Sequence, residues 1–252
     1  GGDAAPPCRE LASAGSMFNL SMLRRGFPLM NMAVVQADTL YHAVHGEGAF
    51  ERDGPDRTTR SLMAMATEAF NIVARSTGFG EGLSSLRGLR VSAGASGSGL
   101  QPTVDAALAA AGMSRDDFRA IRDFSANDQA FQLCRNAVDA FFFVAATPSA
   151  SIQEATTSCN STLVSPGAAT VDRRVDRVAY YLPVTVPGGV YRGNPDPVAT
   201  FGVPAILVTR ANMPDDVVPP SVAGEDAPCE SRTAKRSSAE KRLRVAAPCR
   251  RA

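Results

Sequence analysis

No stretch of this chain is both long and apolar enough to cross a membrane. The longest apolar run, AFFFVAA at 140–146, lies between Asp139 and Thr147-Pro148, far short of the roughly 20 residues a spanning helix needs. It reads as a buried strand. Histidine is nearly absent, with only His42 and His45. They share YHAVHGEG with Glu47, but this is not HExxH and implies no third metal ligand. Both read as surface or helix-packing residues, so a Ser-His or Cys-His pair would have to recruit one of them. The acidic residues show no pairing that nominates a general acid or base, so no catalytic residue is expected. Among five cysteines, at 8, 134, 159, 229 and 249, there is no CxxC and no Cys/His cluster at zinc spacing. Neither a metal nor a cofactor is expected. Cys134 ends a predicted helix and Cys159 follows the next strand, which leaves a local disulfide sterically open in an oxidising compartment. The opening GGDAAPPC carries neither a methionine nor the apolar segment of a signal peptide. A leader has been removed, or the front of the protein is missing.

What the chain does contain is enough for a sizeable core. Its 252 residues are 44% apolar, which suits one large domain or two lobes of about 100 to 150 residues each. The net charge of +1 hides an uneven balance. Residues 228–252 carry eight Lys or Arg against two Glu, leaving 18 against 23 in the rest. Both lysines lie in this tail, which we read as codon bias without function. The tail has no aromatic residue and no apolar face, so it reads as a solvated, disordered end; nucleic-acid binding is the alternative such a basic run allows.

Strand-then-helix units follow by period. The stretch LMNMAVVQAD (29–38) is a strand, and TLYHAVHGEG behind it is a helix stopped by Gly46 and Gly48. LRVSAG and GLQPTVDAALAAAG make a second unit, with Gly112 as its stop. Ser114, three residues before Asp117, and Ser125 are candidate N-caps. The strand AVDAFFFVAA comes next. Residues 67–88 hold a strand and a Gly/Ser-rich turn, and 176–209 read as extended segments. This alternation predicts an α/β fold with a parallel sheet covered on both faces.

The turn GASGSG at 94–99 sits between a strand and a helix, where open sheets bind ligands. Glycines permit close approach, successive N–H groups form an anion-binding nest, and the helix end adds about half a positive charge. Specific motifs are excluded one by one. Leu100 and Gln101 follow where a phosphate-binding loop needs Lys-Ser/Thr. The glycine spacing is GxxGxG and not GxGxxG, and GxSxG is not satisfied either. A purely structural turn fits the same residues.

The segments VVQADTLYHAVHGEGAF, RVSAGASGSG, VDAFFFVAATPSASIQEATTSC and VPGGVYRGNPDPVATFGVPAILVT together resemble the TAXI family, the TRAP-associated extracytoplasmic immunogenic proteins, over about 13–216. The resemblance implies a type II periplasmic binding-protein fold, with two α/β lobes, a hinge and an interlobe cleft. It further implies a periplasmic receptor that holds a small carboxylate such as glutamate or 2-oxoglutarate and delivers it to TRAP membrane subunits, with no role for nucleic acid. By the same resemblance lobe 1 spans 1–86 and lacks its first strand. Lobe 2 spans 87–185, a return segment spans 186–218, and the tail is 219–252.

Four loops would then face the cleft. Ser13, Gly15 and Ser16 form one, and Gln36 and Asp38 end a strand. Ala95, Ser96, Gly97, Ser98 and Gly99 form the glycine turn, where Ala95-Ser96 replaces the usual Asn-Pro. Thr147, Pro148 and Ser149 form the last, where Ser149 replaces Asn. Cys134 and Cys159 match family cysteines. An enzyme using the same cleft would instead need Ser96 or Ser98 activated by His42 or His45.

Overall fold

The computed structural model describes residues 9–75 and 80–214. The tail expected at 219–252 lies outside them. Two long antiparallel strands, β2 (Thr59–Arg75) and β8 (Val198–Arg210), carry the chain from one half to the other and back, with Thr59 opposite Arg210 and Ala69 opposite Gly202. β8 is rich in β-branched residues and is buried almost throughout: strands flank both its edges, and Phe201, Val203, Ile206 and Val208 enter the larger core from its faces. Its other neighbour is β1 (Met32–Gln36), with Gln36 opposite Ala205.

Beyond Ala69, β2 pairs with β5 (Ala140–Ala145) on one edge and β6 (Ser161–Val164) on the other. β3 (Arg90–Ser92) and β4 (Ala120–Arg122) extend the sheet past β5, and β7 (Leu182–Val186) lies along the start of β8. The order is β1-β8-β2-β5-β3-β4. The α/β class is as expected, but the sheet is mixed. Only β5-β3-β4 is parallel, because β8 returns against both β1 and β2.

Helices α1 (Ser16–Arg24), α2 (Ala37–His45), α3 (Leu100–Ala110), α4 (Gln129–Cys134), α5 (Ala150–Ser158) and α6 (Ala168–Arg177) pack on this sheet. Gly46 ends α2, as its sequence predicts. Ser114 and Asp117 form a reciprocal capping box, on a single 3-10 turn. Ser125 does not cap α4. Its hydroxyl donates to Asp128, which occupies the N-cap position.

Alternate residues of β2 feed two cores on opposite faces of the sheet. Phe70, Ile72 and Ala74 enter one; Ala69 and Val73 enter the other. The first is continuous across both halves, joining Leu20, Leu23 and Leu40 to Val104, Leu108 and Tyr181. Phe70 stacks between Phe201 and Phe142, with centroids 4.7 and 5.8 Å away. The second core lies beneath α4 and α5, which the disulfide Cys134–Cys159 ties together with Cα atoms 5.4 Å apart. Among the described residues no helix is long and apolar enough to cross a membrane.

Candidate ligand site at the seam between the halves

The carboxyl ends of β3, β4 and β5 point one way and that of β1 points the other, so both sets of strand ends meet at a seam. This follows from the pairing: β5 runs against β2, while β1 and β2 both run against β8. Strand ends of this kind are where α/β sheets place ligands.

The glycine turn closes one side of the seam. Gly94 has φ +82, and a Cβ there would stand 2.7 Å from Leu100 Cδ2 and 3.1 Å from Ser98 Oγ. Only glycine combines that backbone with that crowding. Within 94–99 the one amide with a protein acceptor is that of Ser98, which donates to Ala95 O at 3.1 Å. Among the described residues the amides of Ala95, Ser96, Gly97 and Gly99 meet no protein acceptor. They precede α3, so unpaired donors and the positive end of a helix dipole coincide.

The segment around Gly15 covers this turn. A Cβ on Gly15 would lie 3.4 Å from Ser98 Cα, and one on Gly99 would meet Ser16 Oγ at 2.7 Å and overlap Gln36 Oε1. Ser16 Oγ accepts the Gln36 amide at 3.0 Å, which fixes the end of β1 against the start of α1. Gly15, Ser16, Gln36, Ser98 and Gly99 are therefore brought together. Two buried oxygens among them, Gln36 Oε1 and Ser98 Oγ, have no partner. Ser13 is exposed and its hydroxyl accepts from the Gly15 amide.

Asp38 is placed differently. Its carboxylate is 1% exposed and accepts hydrogen bonds from the Thr39 amide at 2.7 Å, Thr103 Oγ1 at 2.6 Å and Tyr181 OH at 3.0 Å. Burial still raises its pKa. It braces α2 against α3 and the chain leading into β7, with both carboxylate oxygens engaged by protein donors. Thr147, Pro148 and Ser149 follow β5, one strand from the glycine turn, and the Ser149 amide donates to Tyr191 OH at 2.8 Å.

Sequence reasoning did not identify Glu68. It is opposite Val203, as Gln36 is opposite Ala205, so both project from the same face of the sheet. Burial pushes its pKa up to about 7, against a stabilising contribution from the Gln36 amide. A lone Glu in a strand carries no local signal for this. The histidines lie elsewhere. His42 Nδ1 is 3.4 Å from Glu47 and His45 Nδ1 is 2.8 Å from Tyr41 O; neither hydrogen-bonds Ser96 or Ser98.

Solved structures similar to this chain include the alkanesulfonate-binding protein of Xanthomonas axonopodis pv. citri bound to MOPS (14% identity, 78% of this chain and 53% of that one, TM-score 0.44). Others are the aliphatic sulphonate binding protein of Escherichia coli (15%, 56% and 44%, 0.40) and an ancestral arginine-binding protein bound to arginine (13%, 79% and 65%, 0.44). The chain spans about half the length of the first of these matches. The model of the NMT1-like family matches residues 3–219, and the chain belongs to that family.

Proposed function

We propose that the protein is an extracytoplasmic receptor of a TRAP-type transporter, of the TAXI kind, that captures glutamate or a related dicarboxylate at the seam and delivers it to membrane subunits. The observation carrying this reading is the set of unpaired amides at 94–99 beside the start of α3. A carboxylate oxygen accepts such amides without a formal cation, as anions do at helix N-termini. Ser16 and Ser98 add hydroxyls, and Thr147 and Ser149, which follow β5, are the further candidates. The disulfide suits an oxidising compartment. Because the space beside Gly15 is too narrow to admit even a side chain without meeting Ser98, entry requires the two halves to part. The stretch of β2 around Ala69, where pairing with β8 on one edge ends and pairing with β5 on the other begins, is the natural hinge.

A thermal-shift screen of amino acids and dicarboxylates tests this. Ligand at 100 times its dissociation constant stabilises the folded state by about 2.7 kcal/mol, so the melting temperature should rise by several degrees with the compound recovered unchanged. A flat screen, or chemical conversion of the compound, would overturn the reading.

A further inference from the structure

The seam holds unmatched acceptors as well as unmatched donors. Gln36 is 7% exposed, its Oε1 has no donor, and it lies directly against Gly99 at the start of α3. Glu68 projects from the same sheet face on the other side of β8, two residues further along, where the Gln36 side chain reaches its carboxyl. Of the described groups that act on the Glu68 carboxylate, Gln36 on β1 is neutral and Asp38 on α2 is another acid; among the described residues no cation contributes. Asp38 is itself occupied by Thr39, Thr103 and Tyr181. A plain dicarboxylate would add negative charge beside Glu68, which is unfavourable in a half-buried setting. A ligand carrying a protonated amine next to its carboxylate would complete both sets of groups.

We propose that Glu68 is a specificity-determining residue which, with Gln36 Oε1, receives the ligand's ammonium group, so that the site selects an amino acid over the corresponding oxo acid. This rests on the receptor reading above. The charge logic gives two pH trends of opposite sign. Glu68 titrates near 7. An ammonium group favours its ionised form, so amino-acid binding releases a proton and tightens as pH rises from 6 to 8. An oxo acid favours the protonated form, so its binding weakens over the same interval.

Calorimetric titration of glutamate and of 2-oxoglutarate, at pH 6 and pH 8, into the wild type and Glu68→Gln decides the matter. Glutamate should bind the wild type at least about tenfold more tightly than 2-oxoglutarate at pH 8, with the two opposite slopes. Glu68→Gln should remove the preference and flatten both slopes. Equal binding of the two compounds, slopes of the same sign, or a preference that survives in Glu68→Gln overturns the proposal while leaving the receptor reading intact. The wild-type slopes are informative even if the variant folds poorly. If neither compound nor any other amino or oxo acid binds a folded wild type, the receptor reading itself fails and this proposal with it.

Discussion

Asp38 and Glu68 are both acids on the side of the seam reached by β1, and their surroundings give them different work. Asp38 is enclosed and its oxygens are engaged by Thr39, Thr103 and Tyr181, whereas Glu68 has only an amide to favour its charge. Neither fate was legible in the sequence. An acid at a strand end looks the same whether it faces a ligand or a threonine 65 residues away, and only the folded chain sets the distance. The strand end at Gln36 and the turn that closes at Gly99 were legible as local elements, because both have local signatures. The raised pKa of Glu68 has a consequence for stability. Burial lifts it from the ordinary 4.5 to about 7, so its contribution is fully present below about 4.5 and is lost as pH rises through 7. Urea unfolding should therefore find Glu68→Gln equal to the wild type near pH 4 and more stable than it at pH 8. Equal stability at both values would show that Glu68 is not shifted.

β2 exposes what periodicity reads well and badly. Its second part, FNIVAR, was recognised because it is buried on both faces and rich in β-branched residues. Its first part, TRSLMAMA, was not. Two register shifts, after Ser61 and after Ala64, break the alternation, and Met63 and Met65 are exposed. Such bulges also blunt an edge that no other described strand covers. The helix α1 was missed for a related reason: Ser16 and Asn19 share its buried face with Leu20 and Leu23, so the apolar stripe is too narrow to signal a helix. The disulfide between α4 and α5 was anticipated, while α5 itself was not. The Cys134–Cys159 link closes a separation of 25 residues, and a loop of that size is worth about 3 kcal/mol. Reduction, or the double change Cys134→Ala with Cys159→Ala, should lower the melting temperature by several degrees. An unchanged melt would mean the link adds nothing to the fold.

At the level of the whole molecule, the halves seen in the strand pattern do not have separate interiors. The larger core runs without a break from α1 and α2 to α3 and α6, and Phe201 stacks on Phe70 within it while meeting Tyr181 edge-on at 5.0 Å. Heating should therefore give one cooperative transition. Phe201→Ala should lower that transition as a unit, by about 3 to 5 kcal/mol of stability. Two resolved transitions in calorimetry would show that the halves fold independently. The family resemblance conveyed the overall plan of the chain but not this shared interior, because contacts between distant segments have no local spelling.

The close approach of Gly15 to Ser98 bears on how fast anything gets in. On the proposed receptor reading, a doorway shut at rest makes arrival wait on the small share of molecules that happen to be ajar, and the affinity seen from outside is the intrinsic one diluted by that share. Widening the door would then speed entry without altering a single atom that touches the guest.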